Sequence, residues 1–202
     1  MFDELKKRKP GLIDMELYHP SAVVIPLIEK DGEYQVLFEV RSNGLKRQPG
    51  EICFPGGGCE KGEVPEAGAL REICEELLIS ESQVEMVAPM DIFVSPFNMI
   101  IYPYLGILKN YQGTFSEDEV LEVFTVPLSY FVETEPETCY NEIYTEAPTD
   151  FPWAKVPNGN QYRWGKGLYP VHFYEYDDRI IWGLTAKIMK NTARRIKDAG
   201  WR

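Results

Sequence analysis

Residues 22–28 form a run of β-branched and apolar side chains, which predicts a buried strand. Asp31-Gly32 marks a turn, and 34–41 predict the second strand of a hairpin. From 42 to 62 glycine and proline recur too often for a regular element, so this stretch predicts loop with short strands. The period then changes. Across 64–78, Leu70, Ile73, Cys74 and Leu77 fall at i, i+3, i+4 and i+7, the apolar stripe of a helix, and Pro65 suits its first turn. Strand-like stretches follow at 84–94, 99–108 and 120–126, the last stopped by Pro127. Residues 133–179 mix prolines, glycines and aromatics without a period and predict an irregular, aromatic-rich insertion or lid. A second helix is predicted over 180–197, with Ile181, Leu184, Ile188 and Ile196 on one side and Asp178 as its N-cap. Antiparallel-looking strands with a few helices make an α/β sandwich the expected architecture, in one domain spanning 1–202.

Charge narrows the partners. The net charge of −11 argues against nucleic acid binding through bulk electrostatics. A polyanionic substrate would need cations or a few well-placed Lys and Arg. Cys53, Cys59, Cys74 and Cys139 make no C-x-x-C pair and no zinc spacing, so reduced thiols are expected. No apolar run approaches the roughly 20 residues that span a bilayer. Residues 1–10 are charged without an apolar centre, and the last three residues are not a peroxisomal tripeptide. A cytoplasmic location and no membrane partner are therefore expected.

Candidate chemistry lies on the first helix. Glu72, Glu75 and Glu76 fall at i, i+3 and i+4, within about a 100° arc, opposite the apolar stripe. Like charges so spaced repel and destabilise a helix, and a divalent cation would reverse the sign of that effect. On their own, three such residues more often form a solvated acidic face.

Their neighbours change that reading. Gly57-x5-Glu63-x7-Arg71-Glu72-Ile73-x-Glu75-Glu76 resembles the Nudix box. Leu78 stands where the family has glycine, which puts the helix exit in question, because a residue without Cβ ends a helix at low cost. The resemblance implies a Nudix α/β/α sandwich with a mixed sheet and Mg²⁺ or Mn²⁺ as cofactor. It implies that Glu72, Glu75 and Glu76 bind the metal with the Gly56 carbonyl, and that Arg71 and Glu63 orient the glutamates.

A second resemblance flanks the box. Leu37-Phe38-Glu39-Val40-Arg41-Ser42, Lys46, Gly50 and Phe54-Pro55-Gly56-Gly57 are similar to the extra signature of the coenzyme A pyrophosphatases within that family. Glu39 stands where the signature has threonine and Lys46 where it has arginine, with Arg47 one step on. Residues 118–128 and 181–186 also look like the family, so the likeness covers about 20–130 and 180–197.

The resemblance implies cleavage of coenzyme A or an acyl form to 3′,5′-ADP and 4′-phosphopantetheine. Arg41, Lys46, Arg47, Phe54 and Gly57 would meet the substrate. Glu119 or Glu122 would be the base or a further ligand. Tyr140, Tyr144, Phe151, Trp153, Tyr162 and Trp164 are candidates for a groove that takes adenine and pantetheine. ADP-ribose or another nucleotide diphosphate is the rival substrate, and a non-catalytic ligand-binding module the rival class. A serine hydrolase is weaker still: only His19 and His172 are present, both read as structural, and no Gly-x-Ser-x-Gly elbow occurs. The second helix and the aromatic segment are candidate surfaces for a homodimer.

Overall fold

The structure, a computed structural model, describes residues 2–201. Met1 and Arg202, the ends of the expected domain, lie outside the described residues. Strand β1 (His19–Lys30) and β2 (Glu33–Arg41) form the expected hairpin, with Leu27 opposite Val36 and Lys30 opposite Glu33. The turn uses Asp31 and Gly32, both at positive φ, which suits a tight hairpin loop. Two short strands follow, β3 (Ile52–Cys53) against β2 and β4 (Gly56–Gly58) against β1.

Helix α2 (Pro65–Leu77) follows the brief N-terminal helix α1 (Asp3–Lys6) as the second helix of the chain. The stretch at 84–94 divides into β5 (Val84–Pro89) and β6 (Phe93–Val94). Both pair antiparallel with β7 (Met99–Leu108). β7 runs parallel to β1, so the sheet is mixed. Strand β8 (Val120–Pro127) pairs with β2, and the main path runs β3-β2-β1-β7-β5.

Alternation along the central strands builds two cores. Ala22 and Val24 of β1 and Leu37 of β2 pack with Ala69, Ile73 and Leu77 of α2. Ile25 and Leu27 of β1 and Val36 and Phe38 of β2 face the other way. They pack against helix α3 (Leu128–Glu133) and helix α4 (Gly183–Asp198), through residues including Phe131, Ile188, Met189 and Ala193. The result is the expected α/β/α sandwich.

The segment 133–179 is more regular than its composition suggests. Strand β9 (Glu137–Tyr144) pairs antiparallel with β10 (Lys166–Tyr176), and β10 pairs with β11 (Arg179–Trp182). This second, three-stranded sheet packs on α4, with Tyr174 and Ile181 entering the shared core. Residues 180–182 therefore belong to a strand, and α4 begins at Gly183. Asp178 lies in the β10–β11 turn rather than capping the helix, and no side chain caps α4. The β9–β10 connection is the long irregular stretch of this segment, and its aromatics pack on one another: Phe151 lies 4.7 Å from Trp153 and 5.9 Å from Trp164 between ring centroids.

Candidate active site

Helix α2 decides where the acidic groups point. Ala69, Ile73 and Leu77 are fully buried against the sheet. At 100° per residue, Glu76 lies about 60° from Ile73, Glu72 about 100° and Glu75 about 160°. The glutamates therefore do not share an outward face opposite the core. Glu76 is 5% exposed, at the margin of the apolar contact. Glu72 is half-buried beside it, and Glu75 projects outward with its side chain 59% exposed.

The glycine strand β4 meets this edge. The Gly56 N–H donates to Glu76 Oε2 at 2.7 Å. Gly56 has φ 151°, and a Cβ there would collide with the Ala22 carbonyl and the Val23 backbone. At Gly57 a Cβ would lie 2.5 Å from Glu72 Cδ and within 2.7 Å of both its carboxylate oxygens. Glycine is needed here because a carboxylate and a neighbouring strand occupy the space a side chain would take.

Arg71 ties the outer parts together. Its Nε and Nη2 donate to the two oxygens of Glu63 at 3.1 and 3.2 Å, and its Nη1 donates to Glu72 Oε1 at 2.7 Å. Nη2 also reaches the Gly58 carbonyl at 3.3 Å, and Nη1 reaches Glu75 Oε2 at 3.4 Å. The Glu60 N–H donates to Glu63 Oε2 at 2.8 Å. These bonds hold the Glu63 carboxyl below the usual carboxylate range, with the Arg71 contact the largest cause. The fork of Arg71 thus fixes helix, loop and glycine strand relative to one another.

Inside this frame the carboxylates act on each other. Burial, then the charge of Glu39, raises the proton affinity of Glu76, with Glu72 and Glu119 adding to it and the Gly56 hydrogen bond opposing it. Glu39 is raised as well, first by burial, against a hydrogen bond from Cys53 and the nearby charge of Arg41. Among the described residues, no three acidic, histidine or cysteine side chains converge into a compact metal cage. A hard cation such as Mg²⁺ takes one or two carboxylates and keeps several waters, so a closed cage is not required. The donor set is all oxygen, and the buried Glu39 Oε2 lacks a hydrogen-bond partner. Such a site fits a divalent cation.

The remaining expected residues divide. Glu119 is exposed on the loop that closes over the end of α2, where the Ser116 N–H donates to the Glu76 carbonyl at 2.8 Å, and its charge reaches Glu76 and Glu39. Glu122 does not join it. In β8 it shares a face with Phe124, on the α4 side of the sheet, and pairs with Arg179. Phe54, expected to meet substrate, is buried in the core and stacks on Phe38 at 5.0 Å. Its ring anchors the Gly56-Gly57 segment instead. Arg41 Nε donates to the Arg47 carbonyl at 3.4 Å, which pins the loop carrying the exposed Lys46 and Arg47. Glu39 was missed as a site residue; the signal for it was an acidic residue inside a strand of otherwise core-forming positions.

Helix, glycine strand and mixed sheet define an acidic centre carried by an α/β/α sandwich. A model of the NUDIX domain matches residues 17–143. The chain belongs to the Nudix family. It is 34% identical over 175 residues to the mouse (Mus musculus) peroxisomal coenzyme A diphosphatase NUDT7, covering 83% of this chain and 66% of that one. It is 38% identical over 120 residues to the Caenorhabditis elegans peroxisomal coenzyme A diphosphatase ndx-8, covering 56% and 51%. The chain thus spans between about half and two thirds of the length of these relatives. A crystal structure of a MutT/nudix family protein from Enterococcus faecalis superposes with a TM-score of 0.53 at 16% identity, covering 96% of this chain and 67% of that one, which supports the fold alone. No described helix is long and apolar enough to cross a membrane.

Proposed function

We propose that this protein hydrolyses the diphosphate bond of a nucleoside diphosphate derivative, with coenzyme A or an acyl-coenzyme A as substrate and Mg²⁺ or Mn²⁺ as cofactor. One observation carries the reading: Glu76 and Glu72 are packed side by side against Gly56 and Gly57, with Arg71 and Glu63 locking the arrangement. The names of two relatives favour coenzyme A.

Glu76 and Glu72, with the Gly56 carbonyl, would hold the ion, and Glu75 would join from its exposed position. When bound, the ion neutralises diphosphate charge and lowers the pKa of water. Glu119 is the candidate base that takes the proton of the attacking water. Water adds to phosphorus, the bridging oxygen leaves with the other phosphate, and two phosphomonoesters result: 3′,5′-ADP and 4′-phosphopantetheine from coenzyme A. Arg41, Lys46 and Arg47 would meet the phosphates, because an overall acidic chain needs local cations to admit a polyanion. Arg41 can fork to a phosphate, whereas Lys46 offers a point charge.

The reading takes residues 1–202 as one Nudix domain with the second sheet as its addition, acting in the cytoplasm, with a homodimer as the candidate assembly. The four cysteines are free thiols. Product analysis with coenzyme A, acetyl-coenzyme A and ADP-ribose, each with and without Mn²⁺, tests the substrate. The expected result is metal-dependent release of 3′,5′-ADP. Preferred cleavage of ADP-ribose would defeat the coenzyme A assignment, and ligand binding without turnover would defeat hydrolysis.

A further inference from the structure

Glu39 is a charge where the strand pattern calls for hydrocarbon. On β2, Leu37 packs against Ala69, Ile73 and Leu77 of α2, while Val36 and Phe38 belong to the opposite core. Alternation puts Glu39 on the face of Leu37, towards α2. The side chain is 1% exposed. Its Oε1 accepts a hydrogen bond from the Cys53 Sγ–H at 3.2 Å, which is a weak donor, and its Oε2 has no partner at all. Buried carboxylates are ordinarily paired or ligate metal, and an orphan oxygen of this kind calls for an explanation.

The neighbours make the case sharper. Glu39 is the strongest charged influence on Glu76, and both also feel Glu72 and Glu119. Glu39 thus lies on the sheet face that α2 covers, within electrostatic reach of Glu76. Arg41 offsets part of this charge. We infer that Glu39 is a further carboxylate ligand of the divalent cation, reaching it from β2 while Glu72 and Glu76 reach it from α2; this rests on the metal-dependent reading above. Cys53, opposite Glu39 in the β2–β3 register, holds Oε1 and leaves Oε2 for the ion. Such an outer partner orients a ligand without touching the metal.

Calorimetric titration of Mn²⁺ into wild type, Glu39→Gln, Glu39→Thr and Glu76→Gln tests the assignment, with thermal unfolding of each in metal-free and Mn²⁺-containing buffer. Both Glu39 variants are expected to bind Mn²⁺ at least about tenfold more weakly and to show a smaller Mn²⁺-induced rise in Tm. Binding within twofold of wild type in either variant overturns the inference. If Glu76→Gln alone loses Mn²⁺, only the role of Glu39 falls; if Glu76→Gln binds like wild type, the underlying metal reading falls. A second measurement avoids variants altogether. In wild type labelled with ¹³C at glutamate carboxyls, diamagnetic Mg²⁺ is expected to shift the Glu39 carboxyl signal along with that of Glu76. A Glu39 signal that does not move at saturating Mg²⁺ while that of Glu76 does overturns the inference whether or not the variants fold.

Discussion

Leu78 occupies a conformation that its side chain disfavours. It ends α2 at φ 53° and ψ 46°, in the left-handed region, with its N–H bonded to the Cys74 carbonyl. The family's glycine position thus keeps its geometry without glycine, at a steric cost of roughly 1–2 kcal/mol. The side chain is largely exposed and gains little packing in return. Leu78→Gly should therefore stabilise the fold by about 0.5–1 kcal/mol after the entropy cost of glycine in the unfolded chain is subtracted, a shift that urea denaturation reads directly. Gly57 gives the opposite case. Gly57→Ala would push a methyl into the Glu72 carboxylate, so the expected outcome is a folded protein with kcat/KM lowered by about 100-fold or more. Unchanged turnover in that variant would mean that the position of Glu72 is not critical.

Helix α4 is fastened at its far end by a charge as well as by its backbone cap, where the Ala199 N–H donates to the Arg195 carbonyl. Asp91, between β5 and β6, accepts from Arg195 Nη2 at 2.7 Å and Nε at 2.9 Å, and from Asn191 Nδ2 at 3.0 Å. The Arg195 bond, then the Asn191 bond, hold the Asp91 carboxyl below its ordinary value. A carboxyl depressed in the folded state stabilises the fold above its unfolded pKa and loses that contribution as pH falls through the folded one. The stability gap between wild type and Asp91→Asn should thus be constant above about pH 5 and close below about pH 4. Urea midpoints across pH measure it, and a gap independent of pH would contradict the pairing.

Elements differed in how well their sequence announced them. The β1–β2 hairpin and α2 carried a clean period and a turn signal, and both lie where the pattern puts them. The second sheet did not. Pro170 and Gly167 interrupt β10, aromatics occupy both of its faces, and β9 is exposed along most of its length. Asp177 and Asp178, with Asp177 at φ 52°, make a hairpin turn, although an aspartate before an apolar run also reads as a helix start. Ile181 adds to the ambiguity, because its packing role in β11 falls in phase with Leu184 and Ile188 of α4. Within the proposed site, the spacing of the box picks out Glu63, Arg71, Glu72 and Glu76, which the fold brings to one edge of α2. The contrast between Glu119 and Glu122 was illegible, since it depends on which face of β8 a neighbouring strand covers.

At the scale of the whole molecule, the mixed sheet separates two tasks. The face under α2 carries the acidic centre, and the other face holds α3, α4 and the second sheet in one continuous core. Phe54 and Thr185 link them: Phe54 stacks in the far core while its loop continues to Gly56, and Thr185 Oγ1 donates to the Ile52 carbonyl at 3.0 Å. The glycine strand is thereby braced from behind, so its backbone can hold Glu76 in front. Everything about the proposed chemistry depends on that carboxylate. The most direct measurement is the Mn²⁺-dependent rate of diphosphate cleavage by Glu76→Gln beside wild type, on coenzyme A and on ADP-ribose. The account predicts a folded variant whose rate falls by more than about 100-fold on whichever substrate the wild type cleaves. A variant that turns over at close to the wild-type rate would contradict it.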